Sequence, residues 1–364
     1  MNDCRRITAS APGRAGLLGN PSDMYGGSVI SMAIDRRAFV SIEPAASLRL
    51  CAVDAGLEVE VGSEADLELI DPPSSAMAEL MEPSRLLEAR HATYLNVLKA
   101  VVLAQEMQAA SVEIRCWSQI PPNAGLSSSS ALLVAALRAT DVWLGRKYRL
   151  HEFAERAREI EFSRMKIICG FQDFYASAHG GLSYLDFRGK AEWGGADIDP
   201  LATVEPLLTE SDSIPLVLAH TGRQRDSGET HRPLRDRWVE GDPAVRAAMR
   251  RLAAIARYAK RYVLSGDWIA VADQMNEAHA HIASVGGSGP ENDALIELAI
   301  RLGARGAKLA GAGKGGTIIV LHEDPQFFVK QLVANDVESP FAIDQMVQGV
   351  VLHGTDRDGS FEDK

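Results

Sequence analysis

The sequence predicts an α+β protein in two halves, and three observations carry that expectation. The chain has 364 residues, enough for two medium-sized cores. Short runs rich in β-branched residues are interspersed with longer segments of helical periodicity. Between them, region 189–212 is rich in Gly, Asp and Pro and reads as a linker, which places a boundary near 195–210. The expected organisation is a first domain over 1–200, a second over 210–353 and a loose acidic tail over 354–364.

Residues 5–12 and 28–42 read as strands around a turn-rich segment, Gly13 to Gly27, with Val29, Ile30, Phe39, Val40 and Ile42 supplying the strand signal. Another strand is expected at Leu57–Val61. Arg85 to Met107 has apolar residues at helical spacing, and Val112–Trp117 is strand-like. Helices follow at about 128–144 and 151–166, then a short helical stretch after Gly170 and a strand around Leu182–Phe187. Beyond the linker come strand Leu216–His220, a polar loop, and helices at about 242–264, 266–283 and 291–303. A glycine-rich turn, strand Thr317–Leu321 and a last helix and strand complete the chain to about 352.

Composition narrows the function. Apolar residues make up 46% and charged residues 24%, as in ordinary globular proteins. A net charge of −11 argues against a nucleic-acid surface, and an anionic substrate would need a local basic pocket. Cys4, Cys51, Cys116 and Cys169 form no CxxC pair, and the nine histidines form no HExxH, so no zinc site is expected. No signal peptide or bilayer-length apolar run is seen, and a cytoplasmic monomer or homodimer without membrane partners is expected.

The most informative segment is Pro121-Pro122-Asn123-Ala124-Gly125-Leu126-Ser127-Ser128-Ser129-Ser130, which runs into the apolar helical stretch Ala131–Ala139. Gly125 lets the backbone approach a ligand, and the helix start offers unpaired N–H groups and a positive dipole end to phosphate. The serines can cap the helix, touch phosphate, or reach a Mg²⁺ held by the phosphates. Plain capping needs only one of the four.

This segment resembles the phosphate loop of the GHMP kinases, the superfamily of galactokinase, homoserine kinase, mevalonate kinase and phosphomevalonate kinase. Pro121, Gly125, Leu126, Ser128, Ser129 and Ser130 fill its pattern. The resemblance implies the two-domain GHMP fold, with a ribosomal-protein-S5-like ATP-binding domain followed by a ferredoxin-like α/β domain. It also implies ATP phosphates lying on Pro122 to Ser130.

Two more segments carry the same resemblance. Ala11 to Gly27 is a glycine-punctuated stretch that brings Arg14 and Asp23 together; read alone, it could be a long hairpin turn with a surface Arg. It resembles the first GHMP motif. That implies Arg14 beside the reacting phosphoryl group or acceptor hydroxyl and Asp23 accepting from sugar hydroxyls. Asn20 and Pro21 stand on the substrate side where galactokinases place an acidic residue and a His, which argues against galactose. Lys308 to Thr317 contains Gly311, Gly313 and Gly316 in GxGxxG spacing, but after a helix and before a strand, the reverse of the dinucleotide order. It could be a tight turn; it resembles the third GHMP motif, which implies Gly311 and Gly313 at the substrate pocket.

Glu161 and Asp173 lie twelve positions apart across an expected helix end. Paired carboxylates there can divide Mg²⁺ ligation from handling of the acceptor proton, although Glu161 could also belong to a solvated charged face. Resemblance to the GHMP stretch from the magnesium-binding Glu to Gly-x-x-Asp implies Asp173 as the catalytic carboxylate and Glu161 with Ser129 as Mg²⁺ ligands. The last segment, His220 to Trp238, is a cluster of cations containing Arg223 and Arg225. It is either a solvated basic loop or a fork for a carboxylate or phosphate. It resembles glucuronokinase, and also the heptose-phosphate kinase group. The expected function is an ATP- and Mg²⁺-dependent sugar kinase acting on the anomeric hydroxyl of an acidic sugar, glucuronate first and a heptose phosphate second. A non-catalytic sugar sensor on the same fold is the alternative of another class.

Overall fold

The computed structural model describes residues 6–69, 83–121, 124–190, 200–207, 214–222, 227–311, 313–343 and 346–353, with backbone alone for 83–92 and 227–232. Pro122, Asn123, Arg223, Arg225, most of the expected linker and the acidic tail lie outside the described residues.

The spine of the first sheet is β2 (Ser28–Pro44), 17 residues long. β1 (Ile7–Leu18) pairs with it antiparallel from Ile7↔Ile42 to Leu18↔Ile30, with register shifts after Pro12 and after Gly16. The sheet continues through β5 (Val112–Ser118), β3 (Leu48–Ala52) and β4 (Leu57–Val61). β6 (Leu182–Asp186) also pairs with β2 and is followed outward by β7 (Thr203–Pro206). β12 (Val351–His353) closes the other edge on β1. The second sheet runs β11 (Phe341–Ile343), β8 (Leu216–His220), β10 (Thr317–Leu321), β9 (Gly306–Leu309), all antiparallel.

Helices α1 (Pro83–Gln105), α2 (Ser128–Trp143), α3 (Leu150–Glu159) and α4 (Gln172–His179) accompany the first sheet. α2 is apolar on nearly every side, as a helix enclosed by a sheet and other helices must be, and Leu132, Leu133, Val134 and Leu137 are wholly buried. Then come α5 (Ser227–Val239), α6 (Pro243–Leu264), α7 (Trp268–Ser284), α8 (Pro290–Arg301) and α9 (Pro325–Val333). α6 starts where its sequence says it should: the Asp242 side chain accepts from Ala244 N and Val245 N, and Pro243 occupies the first helical position. In β8 and β10, Leu216, Leu218, Ile319 and Leu321 face the large core shared with the first sheet. Val217, Ala219, Ile318 and Val320 face a second core under α8 and α9.

Several elements differ from expectation. β1 does not end at Pro12 but continues to Leu18, because its ladder absorbs two irregularities instead of breaking; only Gly19–Gly27 turns. β3, β7 and β9 span four or five residues each and are too short to stand out in the sequence. The polar loop after His220 contains α5, whose internal Pro233 and dense charge hide its helical periodicity. The expected helix 151–166 ends as α3 at Glu159 and widens into a π turn, Ile160–Arg164. β7 and β12 both belong to the first sheet, beyond the expected limits of that domain. We propose a division near residue 207 with β12 returned to the first part. No described helix is long and apolar enough to cross a membrane, and Cys51, Cys116 and Cys169 are free and buried.

The segment leading into β12 straps α4 down. Val350 N donates to Ala178 O at 3.1 Å, Gly181 N donates to Val347 O at 2.8 Å, and Arg37 donates to the carbonyls of Gln348 and Gly349 at 2.8 and 2.7 Å. A Cβ on Gly349 would lie 2.1 Å from Ala178 O. Gly349→Ala is therefore expected to destabilise the fold by about 1–3 kcal/mol, read as a lower Tm in thermal unfolding. An unchanged Tm would show that the strap is free to shift.

Candidate active site

Arg14 is placed by a glycine. A Cβ on Gly13 would come within 2.7 Å of Leu126 O, so only glycine lets β1 lie against the serine loop. Arg14 N then donates to Leu126 O at 3.0 Å. The buried guanidinium reaches Asp173 Oδ1 with Nε and Nη2, both at 2.7 Å, and donates from Nη1 to Gly125 O at 2.9 Å. One side chain thus joins a strand, a loop and the first turn of α4.

The serine loop leaves its helix end uncapped. Ser127, the residue before α2, has φ +61° and makes no side-chain cap, and the first turn carries no acidic residue. Its Oγ is buried without a partner. The other hydroxyls point elsewhere: Ser128 Oγ pairs with Tyr94 Oη at 2.7 Å, Ser129 Oγ donates to Glu161 Oε1 at 2.9 Å, and Ser130 Oγ donates to Glu161 Oε2 at 3.2 Å. The positive end of a 16-residue helix is therefore left for an anion. Gly125, at φ +77°, makes the turn ahead of it. Ala124 O accepts from Thr317 Oγ1 at 2.7 Å, which ties the loop to β10.

Glu161 sits in the π turn, 3% exposed. Burial, helped by the nearby Asp173 charge and opposed by the serine hydroxyls, pushes its carboxyl up to about 7. Its two oxygens and the Ser129 and Ser130 hydroxyls form an all-oxygen set of the kind Mg²⁺ takes. No group of three or more His, Cys, Asp or Glu able to hold a metal occurs among the described residues. Mg²⁺ does not need one, since it keeps waters and shares substrate phosphates with one or two carboxylates.

Asp23 lies in a short 3₁₀ turn, Ser22–Tyr25, with its carboxylate inside the protein. Oδ2 accepts from Phe171 N at 2.8 Å and Gln172 N at 3.1 Å, so Asp23 seats the N-terminus of α4 and hence Asp173. A Cβ on Gly170 would fall 2.0 Å from that oxygen, which explains the glycine. Asp23 Oδ1 and Gln172 Oε1 are buried without hydrogen-bond partners, two acceptors that no protein donor meets. Burial above all, then the Asp173 charge, raises Asp23 to about 6 against the pull of the two amides.

Asn20 uses both ends of its side chain on protein groups. Nδ2 donates to Gly311 O at 3.0 Å, and Oδ1 accepts from Lys308 Nζ at 2.8 Å. Gly16 N donates to Ala310 O at 2.8 Å, so the glycine-rich turn is stitched to β1. Gly313, at φ +90°, packs so tightly that a Cβ would sit 1.9 Å from Gly287 O. The structure thus gathers Arg14, Asp23, Gly125, Ser129, Glu161 and Asp173 around α2 and α4, with Asn20 and Gly311 adjoining. Tyr94 joins them without a motif that marks it, and Lys308 and Thr317, the two ends of the glycine-rich segment, join them although neither is assigned a role from the sequence. Besides opening that segment, Lys308 is marked in the sequence as a single cation between Ala307 and Leu309 in an apolar stretch.

Family models match at three places. The GHMP kinases N terminal domain matches residues 95–181, and the GHMP kinases C terminal matches 246–334. The chain belongs to the GHMP kinases. A galactokinase galactose-binding signature also matches residues 2–44. Mevalonate kinase of Methanothermobacter thermautotrophicus is 27% identical over 86% of this chain and 89% of its own length. Glucuronokinase 1 of Arabidopsis thaliana is 27% identical over 86% and 84%. The crystal structure of a D-glycero-D-manno-heptose 1-phosphate kinase from Bacteriodes thetaiotaomicron superposes with TM-score 0.66 at 22% identity, covering 96% of this GHMP kinase and 99% of that chain. This GHMP kinase is a phosphotransferase, and its family implies ATP as donor.

Asp23 gives a pH test. Its folded-state pKa, about 6, is raised above the ordinary 3.8, so folding favours the protonated carboxyl. That contribution is intact at pH below about 4 and is lost as pH rises through about 6. Asp23→Asn keeps an acceptor for the two amides and is neutral throughout. It is expected to flatten this part of the stability–pH curve and to match or exceed the wild type at about pH 8. Urea unfolding of both proteins across that range decides; parallel curves would mean that Asp23 does not titrate in this window.

Proposed function

We propose that this GHMP kinase transfers the γ-phosphoryl group of ATP to the anomeric hydroxyl of an acidic sugar, with glucuronate the favoured acceptor. The observation that carries the reading is the Arg14–Asp173 pair, closed at 2.7 Å and bonded to Gly125 of the serine loop. It sets a carboxylate for the acceptor hydroxyl and a cation for developing phosphate charge beside the uncapped end of α2. Asp173 accepts from or orients the hydroxyl, Arg14 holds Asp173 and offsets charge, and the amides at Ser127–Ser130 receive phosphate. Asp23 Oδ1 and Gln172 Oε1 are the proposed acceptors for sugar hydroxyls. Ser129, Ser130 and Glu161 would hold Mg²⁺, which when bound neutralises charge between phosphate oxygens.

An anionic acceptor is supported by the local charge. The segment matching the galactose-binding signature carries Asn20 bonded to Lys308, so a cation stands behind the position where galactokinases use an acid. Arg223 and Arg225 remain our proposal for gripping the acceptor's own carboxylate. Mevalonate is the second reading, because the mevalonate kinase match is as high as the glucuronokinase match. A heptose phosphate is the third, on the fold likeness.

ADP release with MgATP should separate these over a panel of glucuronate, galacturonate, galactose, a heptose 7-phosphate, mevalonate and homoserine. Turnover with glucuronate and not mevalonate is the expected result; the reverse would keep the chemistry and replace the acceptor. Asp173→Asn should lower kcat by about 10²-fold or more while nucleotide still binds. Near-normal kcat would remove Asp173 from the chemistry. Arg223→Ala and Arg225→Ala should each raise KM for the acidic acceptor by about tenfold with little change in KM for ATP. Equal changes in both would place these arginines elsewhere.

A further inference from the structure

Lys308 lies on β9 with its side chain wholly buried. Its ammonium faces three oxygens: Gly16 O at 3.0 Å, Asn20 Oδ1 at 2.8 Å and Leu309 O. An ammonium has three donors and no acceptor, so these oxygens match its charged form one to one. All three partners are neutral. Burying a cation without a carboxylate is a poor device for stability alone, where an apolar side chain usually serves as well or better.

The surroundings show what the cation holds. Asn20, fixed through Oδ1, turns Nδ2 to Gly311 O, and beside it Gly16 N donates to Ala310 O. A Cβ on Gly16 would lie 2.7 Å from Asn20 Cγ and 3.0 Å from Ala310 O, so the seam is closed. Arg14 is two residues back along the same strand. We infer that Lys308 is a positioning residue for phosphoryl transfer, whose charged form locks Asn20, and with it Ala310 and Gly311, against the strand that aims Arg14. Among the described residues, Arg14 from β1 and His279 from α7 are the titratable groups that interact with this ammonium. Burial first, then the Arg14 charge, brings Lys308 down from 10.5 to about 7, so the three-donor form is lost as pH rises past neutrality.

Two measurements on the full chain test this. Amide hydrogen exchange on the free protein needs no acceptor, so it is independent of the acceptor proposed above. Wild-type protection of the amides of Gly16, Ala310 and Gly311 should fall by about tenfold between about pH 6 and pH 9, after correction for intrinsic exchange, while α6 and α7 keep theirs. Lys308→Arg should hold protection flat, and Lys308→Met should be poorly protected throughout. With MgATP and whichever acceptor turns over, Lys308→Met should lower kcat about 10–100-fold with KM for ATP within about threefold. Lys308→Arg should recover most of that rate and lose the alkaline decline. Wild-type protection that ignores pH overturns the inference, as does a fall of equal size in Lys308→Arg or a Lys308→Met enzyme with wild-type kcat. If Lys308→Met does not fold, the pH series on wild type and Lys308→Arg decides alone.

Discussion

The Arg14 guanidinium is the tie on which the site's arrangement depends. Its side chain is 6% exposed and that of Asp173 is 22% exposed, so the pair is largely shielded from water. Removing one partner of such a pair typically costs about 3–5 kcal/mol, because the other is left buried and uncompensated. Here the cost would fall on three segments at once: the bulged end of β1, the serine loop at Gly125, and the first turn of α4. The glycines follow from the same tie. Gly13 has no Cβ because the strand must touch Leu126, and Gly170 has none because Asp23 must reach the amides beside Asp173.

The groups around this tie are held in states that folding alone would not choose. Asp23 and Glu161 are carboxylates buried enough to be raised toward neutrality, and Lys308 is a cation buried enough to be lowered toward it. Asp23 Oδ1, Gln172 Oε1 and Ser127 Oγ are buried with nothing to bond. Unmet polar groups of this kind gather at functional sites because a ligand meets them, and binding then stabilises the folded state by mass action. A ligand that met these atoms would stabilise the fold through them.

Much of this is legible in the sequence where a physical requirement leaves a residue-level mark. Close backbone approach demands glycine, so Gly13, Gly125 and Gly313 stand out in the chain itself. Asp242 and Pro243 announce α6, and the apolar helix α2 announces burial on all sides. Short elements are not legible: β3, β7 and β9 have too few residues to build a periodicity, and α5 is masked by charge and by Pro233. Long-range polar roles are not legible either. Asp23 reads as an acceptor for a ligand, yet one of its oxygens caps a helix 148 positions away. Lys308 bonds a backbone carbonyl 292 positions away, and no spacing rule reports a partner of that kind.

The strap that ends in β12 sets an order on how the molecule is made. β12 pairs with Thr8, Ala9 and Ser10 at the very start of the described chain, and the residues just before it clasp Ala178 and Gly181 at the far end of the helix bearing Asp173. Contacts between β1 and β12 cannot form until β12 has left the ribosome. The first sheet therefore keeps one edge open while the second sheet is synthesised. Until β12 is made, the last turn of α4 lacks this clasp, whereas the bonds that Asp23 accepts at the first turn, beside Asp173, involve no residue from the end of the chain.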